Sequence, residues 1–368
     1  MLPGDTNGGK WDGPEFAAKL GDPSLTPKQA VLKASHSCYG TVKKLFAEGG
    51  YDKLLVAIGD HELGGNGWNP RSTKNQSLEY YRAGFQKEFN RDADGIFMYS
   101  ESIGNAKSRP MKTPYLETSY AHQHKNVLFV TVDVFHDTSE VFINRAVGLG
   151  GEGSVTCTVE GEHLKWFTSV LQQAREDVTI KHIIVQGHVP ILEPVRQIDS
   201  SGQFFDNGSE SDFWKVMVEY GVDVYLAGEV HATTTTKDAN SNLLQVVSRG
   251  NQFTNFLSIE VSDDSIVIKA FNEIDPEPLD NHTYVVYGEI AVNKTGDDTA
   301  IVSNGILELV NVDGPLIRFD FEEKVSMETR PVIGMKSGDS LELVKSEINV
   351  RGVSCSEAME NKGGLGRK

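Results

Sequence analysis

Four apolar stretches of this chain end in a glycine that is followed at once by a side chain able to bind a cation or move a proton. The fullest is Leu54-Leu55-Val56-Ala57-Ile58, which runs into Gly59-Asp60-His61-Glu62. A run this short has the length of a buried strand, and glycine lets the backbone turn out of the sheet. The same order returns in Leu2-Pro3-Gly4-Asp5, in His182-Ile183-Ile184-Val185-Gln186-Gly187-His188, and in Val222-Asp223-Val224-Tyr225-Leu226-Ala227-Gly228-Glu229-Val230-His231. Open α/β sheets bind their ligands outside the carboxyl ends of the strands. Asp5, Asp60, His61, His188, Glu229 and His231 delivered to one such edge would gather donors for one or two metal ions. A mixture of carboxylates and imidazoles suits Mn, Fe, Zn or Mg rather than thiophilic metals.

Helical patterns precede these strands. Thr26-Pro27 reads as an N-cap with proline at the first helical position, opening a helix to about Phe46. Leu78 to Phe89, Glu162 to Arg175 and Ser209 to Tyr220 read as further helices. Val127 to Val132 reads as another buried strand. Helix–strand alternation predicts an α/β layered fold. Leu243–Val247, Phe256–Val261 and Ser265–Phe271 then read as short strands continuing a sheet antiparallel. Near Asp275 the composition shifts to Pro276, Pro278 and Asp280-Asn281, which suggests a linker. The expected organisation is a main domain over residues 1–274 and a small β appendage over 280–345, with a polar, disordered tail over 355–368.

The order Gly-Asp, Gly-Asp-His-Glu, Gly-His, Gly-Glu-x-His resembles the calcineurin-like metallophosphoesterases, the group that includes the purple acid phosphatases. The matching motifs span Gly4 to His231. The resemblance implies a four-layer α/β/β/α sandwich of two mixed sheets. It also implies a binuclear metal centre, with Asp5 as the bridging ligand. Asp60, His188 and Glu229 would complete one metal position, and His231 would belong to the other. The family's first motif, an Asp-x-His after the opening strand, is absent. The chain opens at Met1 directly before the second motif, so a strand carrying the first is expected upstream. Two residues also depart from the pattern: Asp60 stands where the family usually has Asn, and Glu229 where it usually has His.

By the same resemblance His61 binds the phosphate or protonates the leaving oxygen, a role suited to an imidazole. Glu62 reads as the carboxylate that orients His61, or else as a solvated loop residue. Trp68, in the glycine-rich run Gly64 to Pro70, could offer a stacking face to substrate or simply belong to a turn cluster. Asn7 is a further candidate for substrate contact. Arg249, after the strand ending at Val247, could clamp a phosphate or pair with a nearby carboxylate. Asp133 reads as structural or as a support behind the ligands, and His122, His124 and His163 as ordinary surface or packing histidines.

A formal charge of −17 argues against nucleic acid as a partner, which calls for basic patches. No apolar run approaches the roughly 20 residues that span a bilayer. No Cys-x-x-Cys pair occurs, which removes zinc knuckles and redox motifs. Sequons at Asn75, Asn207, Asn281 and Asn293 permit a secretory route. The expected function is metal-dependent hydrolysis of a small phosphate monoester or diester, with hydroxide on the metal as the attacking species. The alternatives are a non-catalytic metal- or ligand-binding protein on the same fold, or an N-terminally shortened enzyme.

Overall fold

A computed structural model describes residues 1–51, 53–65, 72–136, 141–142, 154–155, 157–192, 205–229, 233–249, 255–275, 283–296 and 298–310. Helices α1 (Pro14–Lys19), α2 (Pro27–Glu48) and α3 (Leu78–Phe89) come first. Strands β1 (Ser102–Ile103), β2 (Ala106–Lys107), β3 (Tyr120–His124), β4 (Val127–Thr131), β5 (Val141–Phe142) and β6 (Ser154–Val155) follow. Then come α4 (Gly161–Glu176), β7 (His182–Gln186), α5 (Asp212–Glu219) and β8 (Val224–Ala227). The remaining strands are β9 (Thr234–Lys237), β10 (Leu244–Val247), β11 (Asn255–Val261), β12 (Ser265–Asp275), β13 (Thr283–Thr295), β14 (Asp298–Gly305) and β15 (Leu309–Val310).

The chain is a mixed α/β protein. The larger sheet has seven strands in the order β15-β9-β10-β8-β7-β4-β3, and a separate antiparallel sheet has four, β11-β12-β13-β14. In the larger sheet β4, β7, β8 and β10 run parallel, so their carboxyl ends open onto one edge. β3 runs antiparallel to β4 and β9 antiparallel to β10, while β15 runs parallel to β9 at the edge. The expected antiparallel run from Leu243 onward is therefore corrected at its first member, because β10 lies parallel beside β8 and belongs to the larger sheet.

Side-chain alternation along these strands divides the core. Leu128, Val130, Ile183, Val185, Tyr225 and Ala227 join an apolar cluster with residues of α2, α3, α4 and α5. Their neighbours of opposite phase, Val127, Ile184, Val224 and Leu226, join Ile266, Ile268, Ile290 and Val292 of the four-stranded sheet in a second cluster. Burial on both faces explains why these strands read as continuous apolar runs. β13 pairs with β12 in one antiparallel ladder, and β15 pairs with β9 at the edge of the larger sheet. The expected divide between 274 and 280 thus falls inside a single sheet. Residues 311–345 of the expected appendage, and the tail at 355–368, lie outside the described residues.

α2 begins as its sequence predicts. The Thr26 side chain accepts from the Gln29 amide while the Gln29 side chain accepts from the Thr26 amide, and Pro27 occupies the first turn. The run Leu54–Ile58 behaves differently from the ladder strand expected of it. Among the described residues it makes one parallel bridge, Val56 to Leu2. Three side chains also take backbone groups of the run, one of them Tyr99, whose Oη donates to Leu54 O. Val56 N donates to Tyr120 Oη at 2.9 Å, Tyr120 Oη donates to Val56 O at 3.1 Å, and Gln186 Nε2 donates to Leu55 O at 3.0 Å.

Candidate metal centre

Two of the ligand-type residues follow ends of parallel strands. His188 lies two residues past β7, and Glu229 two residues past β8. Asp5 and Asp60 follow the bridged pair Leu2 and Val56. These four side chains converge: each offers a ligand atom, and the atoms all lie within 4.8 Å of one another. His188 Nε2 is 3.1 Å from Glu229 Oε2, 3.4 Å from Asp5 Oδ2 and 3.5 Å from Asp60 Oδ1. Asp60, His188 and Glu229 are buried, and Asp5 is the most open of the four.

The orientation of His188 follows from its other nitrogen. Nδ1 lies 2.7 Å from the carbonyl oxygen of Pro3, which can only accept. Nδ1 is therefore the protonated nitrogen, and in the neutral ring the Nε2 lone pair faces the three carboxylates. Metal-binding histidines are held this way, by a hydrogen bond from the ring nitrogen that does not ligate. Among the described residues Asp60 Oδ1, buried, has no hydrogen-bond partner, although it faces His188. Three carboxylates, one imidazole and an unpartnered buried oxygen fit a hard or borderline cation.

Electrostatics agree with a cluster built for positive charge. Burial alone would lower the His188 pKa, but the Asp5 charge and the close contacts with Asp5, Asp60 and Glu229 hold it well above the ordinary histidine value. Burial raises Asp5, yet the His188 and His61 charges outweigh that and leave its carboxyl below the usual range. Asp60 is pushed up by burial and by the Asp5 charge. Glu229 is pushed up to about 7, by burial and then by Asp60.

Backbone geometry is specialised at the same points. Asp5 (φ 57°) and Glu229 (φ 63°) both occupy the left-handed region. Such a conformation costs about 1–3 kcal/mol in a non-glycine residue and persists where surrounding contacts determine it. Gly59 is required for want of space. A Cβ there would meet Asp5 Oδ1 at 2.4 Å, Asp5 N at 2.7 Å and Glu62 Oε2 at 2.8 Å.

Glu62 does something other than orient His61. It is fully buried, and among the described residues it makes no hydrogen bond to the His61 ring. Its Oε2 accepts from Asp5 N and Gly59 N, each at 2.8 Å. Its Oε1 accepts from Thr6 N and Thr6 Oγ1, each at 2.8 Å, and from Asn7 Nδ2 at 3.0 Å. The solvated-loop alternative is corrected with it. Asn7 spends its amide in the same loop, its Oδ1 accepting from Gly9 N at 2.8 Å. His61 keeps a side chain 38% exposed, with Nε2 4.0 Å from Asp60 Oδ1. Burial lowers its pKa, but Asp60 and Asp5 raise it further, to about 9.

Arg249 sits two residues past β10, beside the end of β8, half-buried and with a partner. His231 and Trp68 lie outside the described residues. Asp133 is structural: it is buried, accepts from Arg82 Nε at 2.9 Å and caps Phe135 N at 3.1 Å. His163 is a packing histidine, stacked on Tyr115 with its Nε2 2.9 Å from Ser119 Oγ. Sequence reasoning missed the Pro3 carbonyl and Thr6. The first is a backbone group and leaves no mark in the sequence, while the second was signalled only by its place directly after Asp5.

No family model matches the chain, and no curated protein matches it. Among solved structures it is similar to GAP50, the anchor in the inner membrane complex of Plasmodium, at 12% identity and a TM-score of 0.24. The match covers 53% of this chain and 56% of that one, so the chain spans little more than half the length of that structure. A likeness of that degree defines neither fold nor activity.

Proposed function

We propose that the protein is a metal-dependent phosphoesterase of the calcineurin-like kind, acting on a phosphate monoester or diester. One observation carries the reading: Asp5, Asp60, His188 and Glu229, from four separate segments, converge within 4.8 Å. The four-layer sandwich belongs to the same proposal. It is supported by the apolar cluster that the two sheets share. In this reading Mn, Fe, Zn or Mg is held by these four residues, with His231 as a further ligand. Such an ion, when bound, supplies charge to offset a phosphoryl group and lowers the pKa of a water.

The chain's own residues do the remaining work. His188 presents Nε2 to the cation because Pro3 fixes its Nδ1–H. Asp60 and Glu229 add negative charge that favours harder ions. His61 lies beside Asp60 with part of its ring open to solvent, where a substrate's leaving oxygen could reach it. In the cation-free protein Asp60 and Asp5 raise its pKa to about 9, which favours the protonated form a proton donor needs.

Hydrolysis of 4-nitrophenyl phosphate and of bis(4-nitrophenyl) phosphate tests this, with Mn²⁺ or Fe²⁺ added and His61→Ala alongside. The expected result is metal-dependent turnover that drops in the variant. Equal rates with and without metal would remove the reading. A second reading, cation binding without turnover, is favoured by the two carboxylate departures at Asp60 and Glu229. Calorimetry showing one bound Mn²⁺ in a protein that turns over neither ester would select it.

A further inference from the structure

We infer that Glu62 is the positioning residue of the cation site: its carboxylate clasps the Asp5–Asn7 loop to Gly59 and so holds Asp5 in its ligating position. The inference rests on the proposed cation site and adds a residue that touches none of the bound atoms.

Glu62 is 0% exposed, yet its two oxygens accept five hydrogen bonds, from Asp5 N, Gly59 N, Thr6 N, Thr6 Oγ1 and Asn7 Nδ2. Four of the five partners are N–H groups that can only donate, two at each oxygen, and the fifth is a hydroxyl. A carboxylate accepts at both oxygens, whereas an amide would turn a donor against a donor. Three of the five bonds are made with backbone amides that flank or belong to ligand residues: Asp5 itself, Thr6 after it, and Gly59 before Asp60. The clasp therefore sets two ligands at once. Asp5 stands at φ 57°, a conformation that relaxes unless contacts on both sides hold it. On one side Asp5 Oδ1 accepts from His61 N at 3.2 Å. On the other, its amide is held by Glu62 at 2.8 Å. The sequence order makes this efficient, since one short turn, Gly59 to Glu62, supplies both the ligand Asp60 and the carboxylate that sets Asp5. Neighbours of this kind typically change metal affinity by about 10–100-fold when removed.

The test compares wild type with Glu62→Gln, which keeps the side chain's size and replaces one acceptor with a donor. Mn²⁺ affinity is measured by calorimetry, and amide hydrogen exchange of Asp5, Thr6 and Gly59 is followed in the metal-free proteins. The expected result is about 10–100-fold weaker Mn²⁺ binding, with faster exchange at those amides and the rest of the exchange map unchanged. Thr6→Val serves if Glu62→Gln fails to fold. It removes one of the five donors and should weaken Mn²⁺ binding by about 3–10-fold, part of that same loss. Unchanged affinity in a folded Glu62→Gln, or in Thr6→Val where that stands in, overturns the inference and leaves the cation site standing. A wild type that binds no Mn²⁺ overturns both. In that case fast exchange in the variant would make Glu62 a clasp of the fold and nothing more.

Discussion

His188 donates its Nδ1–H to the carbonyl of Pro3, 2.7 Å away, and so turns Nε2 toward Asp5, Asp60 and Glu229. In the cation-free protein the ring is held well above the ordinary histidine pKa and is the positive charge among three carboxylates. Removing it leaves buried like charges unbalanced. His188→Ala should lose about 3–5 kcal/mol of stability in the absence of metal, read from urea unfolding. It should also bind Mn²⁺ at least 100-fold more weakly, read by calorimetry. A variant as stable as wild type would contradict the charge assignment.

Cation binding should release protons. A ligand must be deprotonated to bind, and His188 is protonated near neutral pH when no cation is present. The Glu229 carboxyl, pushed up to about 7, adds a fraction of a proton there. Affinity should therefore rise with pH, with between about one and two protons released per ion at pH 7. Calorimetry in two buffers of different ionisation enthalpy reads that number directly, and a value near zero would refute it.

His61 should separate chemistry from binding. Replacing it with Asn should cut turnover by roughly 10²–10⁴-fold while Mn²⁺ affinity changes little. The wild-type rate should fall as pH rises through the His61 pKa, because the proton to be donated is lost. That limb should lie at or below about 9, since a bound cation would pull the value down. A pH–rate profile of both proteins decides this, and a limb that survives in His61→Asn would assign it to another group.

His163 should shape stability in acid. Burial depresses its pKa from 6.5 to about 4, with the Asp133 charge opposing and the Arg82 charge assisting. The unfolded chain therefore binds more protons between about 6.5 and 4. The contribution is fully present above 6.5 and is lost progressively as pH falls toward 4. The whole loss amounts to about 3 kcal/mol at one pKa unit per 1.4 kcal/mol. Urea unfolding at pH 7.5, 6, 5 and 4 should show that slope in wild type and a flatter one in His163→Gln.

Two glycines offer a paired test of space. Gly59→Ala drives a Cβ into Asp5 and Glu62, so Mn²⁺ affinity should collapse with a stability loss of about 1–3 kcal/mol. In α3, Gly84→Ala drives a Cβ to 2.2 Å from Ser35 Oγ of α2. It should cost a similar amount while Mn²⁺ affinity stays as in wild type. Thermal melts together with calorimetry separate the two, and loss of metal binding in Gly84→Ala would show that the site senses the helix packing.

Much of this was legible in the order of residues. The Thr26 cap and Pro27 fix where α2 starts through local hydrogen bonds alone. Leu78–Phe89 matches α3 at both ends, because its apolar stripe sets the period. His182–Gln186 matches β7 for a different reason: a short apolar run bounded by glycine has few other solutions. β9 is silent in the sequence, since Thr234-Thr235-Thr236-Lys237 carries no apolar pattern and is a strand by virtue of pairing with β10 and β15. The prolines near residue 275 suggest a divide. It fails as a boundary because Ile290 and Val292 find their burial against Ile266 and Ile268 across that gap.

The site divides in the same way. Glycine followed by a carboxylate or imidazole after an apolar run is a local signal, so the sequence by itself determined that Asp5, Asp60, His188 and Glu229 stand at the ends of buried segments. Which groups hold them is a matter of distance across the fold. Glu62 is next to His61 in sequence, yet its hydrogen bonds reach 55 to 57 residues back to Asp5, Thr6 and Asn7. Pro3, which sets the His188 tautomer, is 185 residues away from it. A buried carboxylate takes whichever donors the packed backbone brings near. Only the tertiary structure decides which those are, because backbone amides and carbonyls are the same at every residue and leave no trace in the sequence.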